Sequence, residues 1–256
     1  MFFWREQRDG IEVAITDRWG GSSAPPLEEF NLGGHVGDDP GTVQANRGAL
    51  AQALGVSPDR LLFMNQCHGS SVQVIEGPWT SGVPECDALV TMAADVALGV
   101  LVADCVPVLL CDRVAGVIGA VHVGRQGLIC GVIDATVDAF AGLGADAVGA
   151  VVGPSICGRC YEVPEAMRDE AAAVAPPSAD WSWTGTPAID VAAGVVHQLR
   201  RRGVEVTRVP GCSREHPDLY SYRQAQDTGR FAAVIRRYAA ADPVAAVGAV
   251  RVSEAR

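Results

Sequence analysis

The chain has 256 residues, 48% of them hydrophobic and 20% charged, with a net charge of −10 and a pI near 4.9. This fits a soluble globular chain with an ample core, and the acidic balance argues against a nucleic-acid-binding surface or a polybasic membrane attachment, both of which need clustered cations. All 20 basic residues are Arg, which excludes chemistry that requires a Lys: Schiff bases, pyridoxal phosphate catalysis and the phosphate-binding P-loop.

The N-terminal stretch MFFWREQRDG has too short an apolar run for a signal peptide. The most apolar segment, residues 96–111, is broken by Asp104 and Pro107 and is too short to span a bilayer. A cytoplasmic location is expected, and the eight Cys are read as thiols or ligands rather than a disulfide framework.

In chain order, the pattern predicts a strand at 11–16, a Gly/Ser/Pro loop at 20–26 and a Gly-rich turn region at 31–39. Pro40 opens a helix that runs to about Leu54. Short strands follow at 61–65, 72–75, 88–91 and 97–102. Residues 103–124, ADCVPVLLCDRVAGVIGAVHVG, read as a buried β-hairpin: two β-branched apolar runs joined by a polar turn. Leu128, Val132, Val137 and Phe140 have helical spacing and predict one helix over 127–143. A strand at 147–152 leads into the loop GPSICGRCYEV, and Pro164 starts a helix to about Val174. Residues 176–187 form a Pro/Ser/Trp loop. Asp190 caps a helix to Arg202 that Gly203 closes, a strand covers 204–209, and 230–238 is strand or helix. From Ala239 the chain reads as a loosely held tail. There is no internal repeat and no dividing linker. The expectation is a single α+β domain over residues 1–238, with mixed β-sheets flanked by helices, and a tail at 239–256.

Five His residues exist. His197 falls on the 190–202 helix beside three Arg, His216 in a polar loop, and His35 between Gly34 and Gly37 where a pocket wall would suit it. His68 and His122 each end a strand and are followed within two residues by Gly, which lets a ligand or another backbone approach. Cys105 sits at a strand start between Asp104 and a Val-Pro pair. Together they form a candidate His₂Cys set. Three protein ligands leave one position open, the catalytic zinc pattern, whereas structural zinc is closed by four. The same ligand types suit copper, and a Cys beside a His without any metal would make a nucleophile and its base. Asp104 is the expected carboxylate partner of a ligand His. CGRC at 157–160 has C-x-x-C spacing, but no second C-x-x-C exists to complete a zinc ribbon. Arg223 and Arg230 read as surface loop residues or anion contacts.

Several separate blocks, in order, resemble those of the YfiH/YlmD family, also called laccase-domain or polyphenol-oxidase-like and related to mammalian FAMIN. The resemblance covers about residues 11–238. NLGGHVGDDPGTVQANRGAL is similar to the family's N-terminal block and NQCHGSSV to its QVHG block. CDALVT and LGVLVADCVPVLL are similar to its central blocks, AVHVGRQG to AVHAGWRG, VGPSICGRCYEV to GPSIGPCCYEV, and DLYSYRQAQDTGRFAAVI to its last block. The resemblance implies the YfiH/CNF1-like α+β fold and places the metal ligands at His68, Cys105 and His122. It implies a zinc-dependent purine nucleoside phosphorylase, which cleaves adenosine, inosine, guanosine or methylthioadenosine with phosphate to the free base and ribose 1-phosphate, with adenosine deaminase activity beside it. Asn31 and Arg47 match positions that line the pocket, and His35, Arg125 and Arg223 join them as substrate-binding candidates. Arg125 and Gln126 depart from the family, which has Trp and Arg there. A multicopper laccase would need more than five His, so copper survives only as a single-ion alternative, and a metal-free hydrolase using Cys105 is the other.

Overall fold

The computed structural model describes residues 1–79 and 82–238; the expected tail lies outside the described residues. The chain begins with a hairpin of β1 (Phe2–Arg8) and β2 (Ile11–Thr16), then α1 (Pro40–Leu54). Next come β3 (Leu61–Phe63), β4 (Val72–Ile75), β5 (Ala88–Thr91), β6 (Ala97–Val102), β7 (Val106–Asp112) and β8 (Val117–Val123). The helices α2 (Arg125–Cys130) and α3 (Val132–Gly142) precede β9 (Gly149–Val152) and α4 (Glu165–Val174). The last elements are the small hairpin β10 (Ala179–Trp181) and β11 (Pro187–Ile189), α5 (Val191–Arg201), β12 (Glu205–Arg208) and β13 (Phe231–Arg237).

Two mixed sheets face each other. One has the order β1-β2-β13-β6-β3, the other β12-β9-β7-β8-β5-β4. Alternation along the strands divides their apolar residues among three cores. Leu109 and Cys111 of β7 pack with Ile118 and Ala120 of β8 and with Phe231, Ala233 and Ile235 of β13, between the sheets. Val108 and Leu110 pack outward with Val137, Phe140, Val195 and Leu199 of α3 and α5. On the opposite side, Ala232 and Val234 of β13 meet Leu50 and Leu54 of α1. The result is four layers, helix–sheet–sheet–helices. Strands covered on both faces have no polar side to show, which is why they read as continuous apolar runs.

Local signals account for most helix ends. The Asp39 carboxylate accepts from the Thr42 N–H at 2.8 Å, Pro40 stands in the first turn, and Gly55 closes α1 in the left-handed region at φ 68°. Asp190 caps α5 through the Ala193 N–H at 2.7 Å. The single helix predicted over 127–143 is instead two. Gly131, at φ 81°, ends α2 and begins α3, a break that apolar spacing alone does not reveal. Residues 230–238 resolve as strand β13. The Pro/Ser/Trp loop contains the β10–β11 hairpin, and β1 is an added strand.

Candidate active site

The apolar layer between the sheets opens at one end into a cleft of about 680 Å³. Met64, Leu101 and Val102 line it from one sheet, Cys105 and His122 from the other, and Ile156, Tyr161 and Tyr222 from loops. His122 shares the parity of Ile118 and Ala120 on β8, so its ring emerges where that apolar layer ends. In the β7–β8 pairing Val106 stands opposite Val123, which brings Cys105, just before β7, close to the end of β8. His68 arrives from the loop after β3 in a left-handed conformation, φ 61°. The donor atoms of His68, Cys105 and His122 lie within 4.8 Å of one another. The Cys105 Sγ to His68 Nε2 distance is 3.8 Å, and the two imidazoles meet edge to face with centroids 4.7 Å apart.

The carboxylate that organises this triad is Asp87, not Asp104. Asp87 is wholly buried just before β5. One of its oxygens accepts from His122 Nδ1 at 2.8 Å and from the His68 backbone N–H at 3.0 Å. The other accepts from the Gly69 N–H at 2.6 Å and the Cys67 thiol at 3.0 Å. It therefore fixes the His122 ring, leaving Nε2 for the cleft, and also holds the backbone of the loop that presents His68. Asp104 has another task. Its own backbone is left-handed at φ 100°, and its carboxylate accepts from Ser213 Oγ and from the Arg223 N–H, each at 2.6 Å. The sequence did carry a signal for Asp87: a carboxylate opening the buried strand ALVT has no packing use.

The electrostatics follow from these contacts. Burial would raise the Asp87 carboxyl, but the hydrogen bonds from His122, Cys67 and Gly69 hold it at about 2. Burial also opposes ionisation of Cys105 and protonation of His122. Their mutual attraction wins, with help from His68 on the thiol and Asp87 on the imidazole, so that the thiol falls to about 6 and the imidazole rises to about 9. Cys105 is thus a thiolate at neutral pH, the state that ligates metal. Gly124 is required by space. A Cβ there would stand 2.8 Å from His68 Cδ2 and 3.3 Å from Cys105 Sγ.

Of the expected substrate residues, His35, Arg125 and Arg223 line the cleft, together with Arg230. Arg125 is bound to Glu170 at 2.7 Å. Arg223 stacks on Tyr161 at 4.9 Å and donates to the Glu162 carbonyl, and Arg230 donates to the carbonyls of Thr228 and Gly229. Among the described residues, neither Arg223 nor Arg230 has a carboxylate in ion-pair contact. Asn31 and Arg47 lie behind the wall. Asn31 is fully buried, and its side-chain oxygen accepts from the Arg230 N–H at 2.9 Å. Arg47 donates to the Leu32 carbonyl and covers the Phe63 ring at 4.8 Å. Both support the loops that present Arg230 and His35 rather than facing the cleft. His197 sits half-buried on α5, and His216 packs edge-on against Phe3.

Fold and site together define a two-sheet α+β protein with a Cys/His cluster in a cleft of the size that takes a small molecule. The chain belongs to the family described as multi-copper polyphenol oxidoreductase laccase, whose family model matches residues 12–238. It is 54% identical over 240 residues to a purine nucleoside phosphorylase of Streptomyces coelicolor, covering 92% of this chain and 99% of that one. It is 46% identical to a purine nucleoside phosphorylase of Mycobacterium tuberculosis over 88% of this chain and 91% of that one. Among solved structures, Neisseria meningitidis protein NMB0706 matches with a TM-score of 0.81 at 30% identity, over 93% of this chain and 99% of that one. YlmD from Geobacillus stearothermophilus matches at 0.81 and 29%, over 90% and 93%. Among the described residues, no helix is long and apolar enough to cross a membrane.

Proposed function

We propose that this protein is a zinc-dependent purine nucleoside phosphorylase. One observation carries the reading: three convergent metal-type donors share a cleft wall with two arginines that, among the described residues, have no carboxylate partner. The names of the similar Streptomyces and Mycobacterium proteins point the same way. His68, Cys105 and His122 would hold the ion. When bound, zinc supplies a Lewis acid that polarises an oxygen or activates a water, which serves both phosphorolysis and the deamination of adenosine.

The chain's own residues do the rest. Arg223 and Arg230 bind and orient phosphate by charge-assisted hydrogen bonds, and Arg125 contributes less because Glu170 already neutralises it. The apolar wall of Met64, Leu101 and Ile156, with the rings of Tyr161 and Tyr222, suits a flat purine. A phosphate oxygen held there bonds to the anomeric carbon of the sugar as the bond to the purine nitrogen breaks, giving free base and ribose 1-phosphate. Holding both reactants in one cleft makes the step effectively unimolecular.

A single copper ion is the alternative occupant of the same three donors, whereas a multicopper centre is disfavoured. His35, His197 and His216 are not part of the ligand set, so a trinuclear cluster has no ligands among the described residues. The metal-free hydrolase reading draws on the Cys105–His122 pair itself. Inosine with and without phosphate, followed by detection of hypoxanthine, tests the proposal on wild type and His68→Ala in parallel. Phosphate-dependent release by the zinc-loaded wild type, lost in the variant, is the expected result. No release by zinc-loaded wild type would overturn it, and adenosine in place of inosine reads the deaminase activity.

A further inference from the structure

The C-x-x-C motif found its missing half in the fold. Donor atoms of Cys157, Cys160, Cys212 and Glu215 lie within 4.8 Å of one another. They come from two turns of the same kind. In Cys157-Gly-Arg-Cys160 the Cys157 carbonyl accepts from the N–H groups of Cys160 and Tyr161, at 3.0 and 3.1 Å. In Cys212-Ser-Arg-Glu215 the Cys212 carbonyl accepts from Glu215 and His216, at 3.1 and 2.9 Å. Each turn thus presents two side chains three residues apart. A parallel bridge between Ser155 and Cys212 and the Ser213 N–H to Ser155 carbonyl bond, 3.0 Å, set the turns face to face.

The surroundings favour an ion. The Cys157 backbone N–H points at Cys212 Sγ, 3.4 Å away, a donor suited to a thiolate. The Trp183 indole donates to one Glu215 oxygen at 3.3 Å and leaves the other 3.9 Å from Cys157 Sγ. Holding a ligating carboxylate by a second partner is how metal sites orient their ligands. Three thiols and one carboxylate make four ligands, the closed number of structural zinc, and soft thiolates select against magnesium and calcium.

We propose that Cys157, Cys160, Cys212 and Glu215 form a second, structural zinc site that staples the loop after β9 to the loop after β12. The four donors are distinct from the three in the cleft, but the site bears on the cleft's shape. Ile156 and Tyr161 flank the first turn and line the cleft. Ser213, inside the second turn, donates to Asp104 at 2.6 Å, next to Cys105. The staple therefore fixes one wall of the cleft and the backbone beside Cys105.

The test uses the full chain with Cys105→Ser, which removes the only thiolate of the first site. Any thiolate-to-cobalt charge-transfer absorption after Co²⁺ loading then arises from the second cluster. The expected results are a strong tetrahedral cobalt–thiolate spectrum and, with zinc, about one tightly held equivalent per chain attributable to the cluster. Adding Cys157→Ser or Cys212→Ser should weaken the band and release that equivalent, and Glu215→Gln should loosen it. If the double variants do not fold, thiol counting on the Cys105→Ser protein before and after zinc removal replaces them, with about three thiols expected to become reactive. No cobalt–thiolate band, no thiol protection by zinc, or a disulfide joining Cys157 to Cys160 in protein purified under reducing conditions would each overturn the proposal.

Discussion

Replacing Asp87 by Asn tests the organisation of the active-site cleft with almost no change of shape. The wild-type carboxylate accepts four hydrogen bonds, two on each oxygen, from His122, His68, Gly69 and Cys67. An amide has one accepting oxygen. Whichever way it turns, two donors face its NH₂ group, and the negative charge that supports His122 is gone. Loss of a carboxylate behind a ligand His lowers metal affinity about 10–100-fold, or about 1.4–2.7 kcal/mol. Buried donors left without acceptors cost about 1–3 kcal/mol of stability on top. The assay is zinc competition with a chromophoric chelator, with urea unfolding in parallel. A folded Asp87→Asn protein that binds zinc within about twofold of wild type would refute this account. The variant also has a pH signature. The wild-type carboxyl is held at about 2 against an ordinary value of 3.8. Its contribution is therefore fully present above the ordinary value and is lost as pH falls from about 4 toward about 2, some 2 kcal/mol in all. Asp87→Asn should not show that loss.

Gly124→Ala places a methyl group against His68 and Cys105 and should weaken zinc binding while leaving the far-UV circular dichroism unchanged; wild-type affinity would mean the loop gives way freely. In metal-stripped protein, alkylation of Cys105 should switch on as pH rises through about 6. Cys67, whose thiol Asp87 holds above its ordinary value, should stay slow there. Peptide mapping after brief iodoacetamide treatment separates the two, and a Cys105 midpoint near the ordinary thiol value would contradict the ion pair. Far from the cleft, Glu12 is buried and bonded to Arg5 and Arg236, each at 2.6 Å. Glu12→Ala leaves two cations without their carboxylate and should cost about 3–5 kcal/mol in urea unfolding, with zinc affinity intact.

What the sequence made legible was local. The 103–124 hairpin announces itself by β-branched runs around a polar turn, and α1 and α5 by Asp39, Pro40 and Asp190 at their starts. His68, Cys105 and His122 stood out because polar residues at the ends of buried strands lack a packing role. The rest depends on partners distant in the chain. Asp87 acts on His122 and His68 across sheet pairings that no local pattern encodes, and Asp104, the expected partner beside Cys105, is turned by the fold toward Ser213. Cys212 lies 55 residues from Cys157, and a turn that pairs a Cys with a Glu carries no familiar spacing. Gly131 breaks a helix whose apolar positions continue in phase on both sides.

The three residues of the proposed zinc site differ in how firmly the chain holds them. Cys105 immediately precedes β7 and His122 lies within β8, the two strands of one paired hairpin, and His122 is only 2% exposed. His68 is solvent-exposed on a loop whose left-handed residue is kept in place by a single carboxylate. On the proposed reading, His68 would be the ligand most free to move away from a bound metal, because its loop is exposed, and a chelator would reach the site from that solvent side. Exchange of the metal would then run at the pace of one loop, while the sheet behind it stays closed.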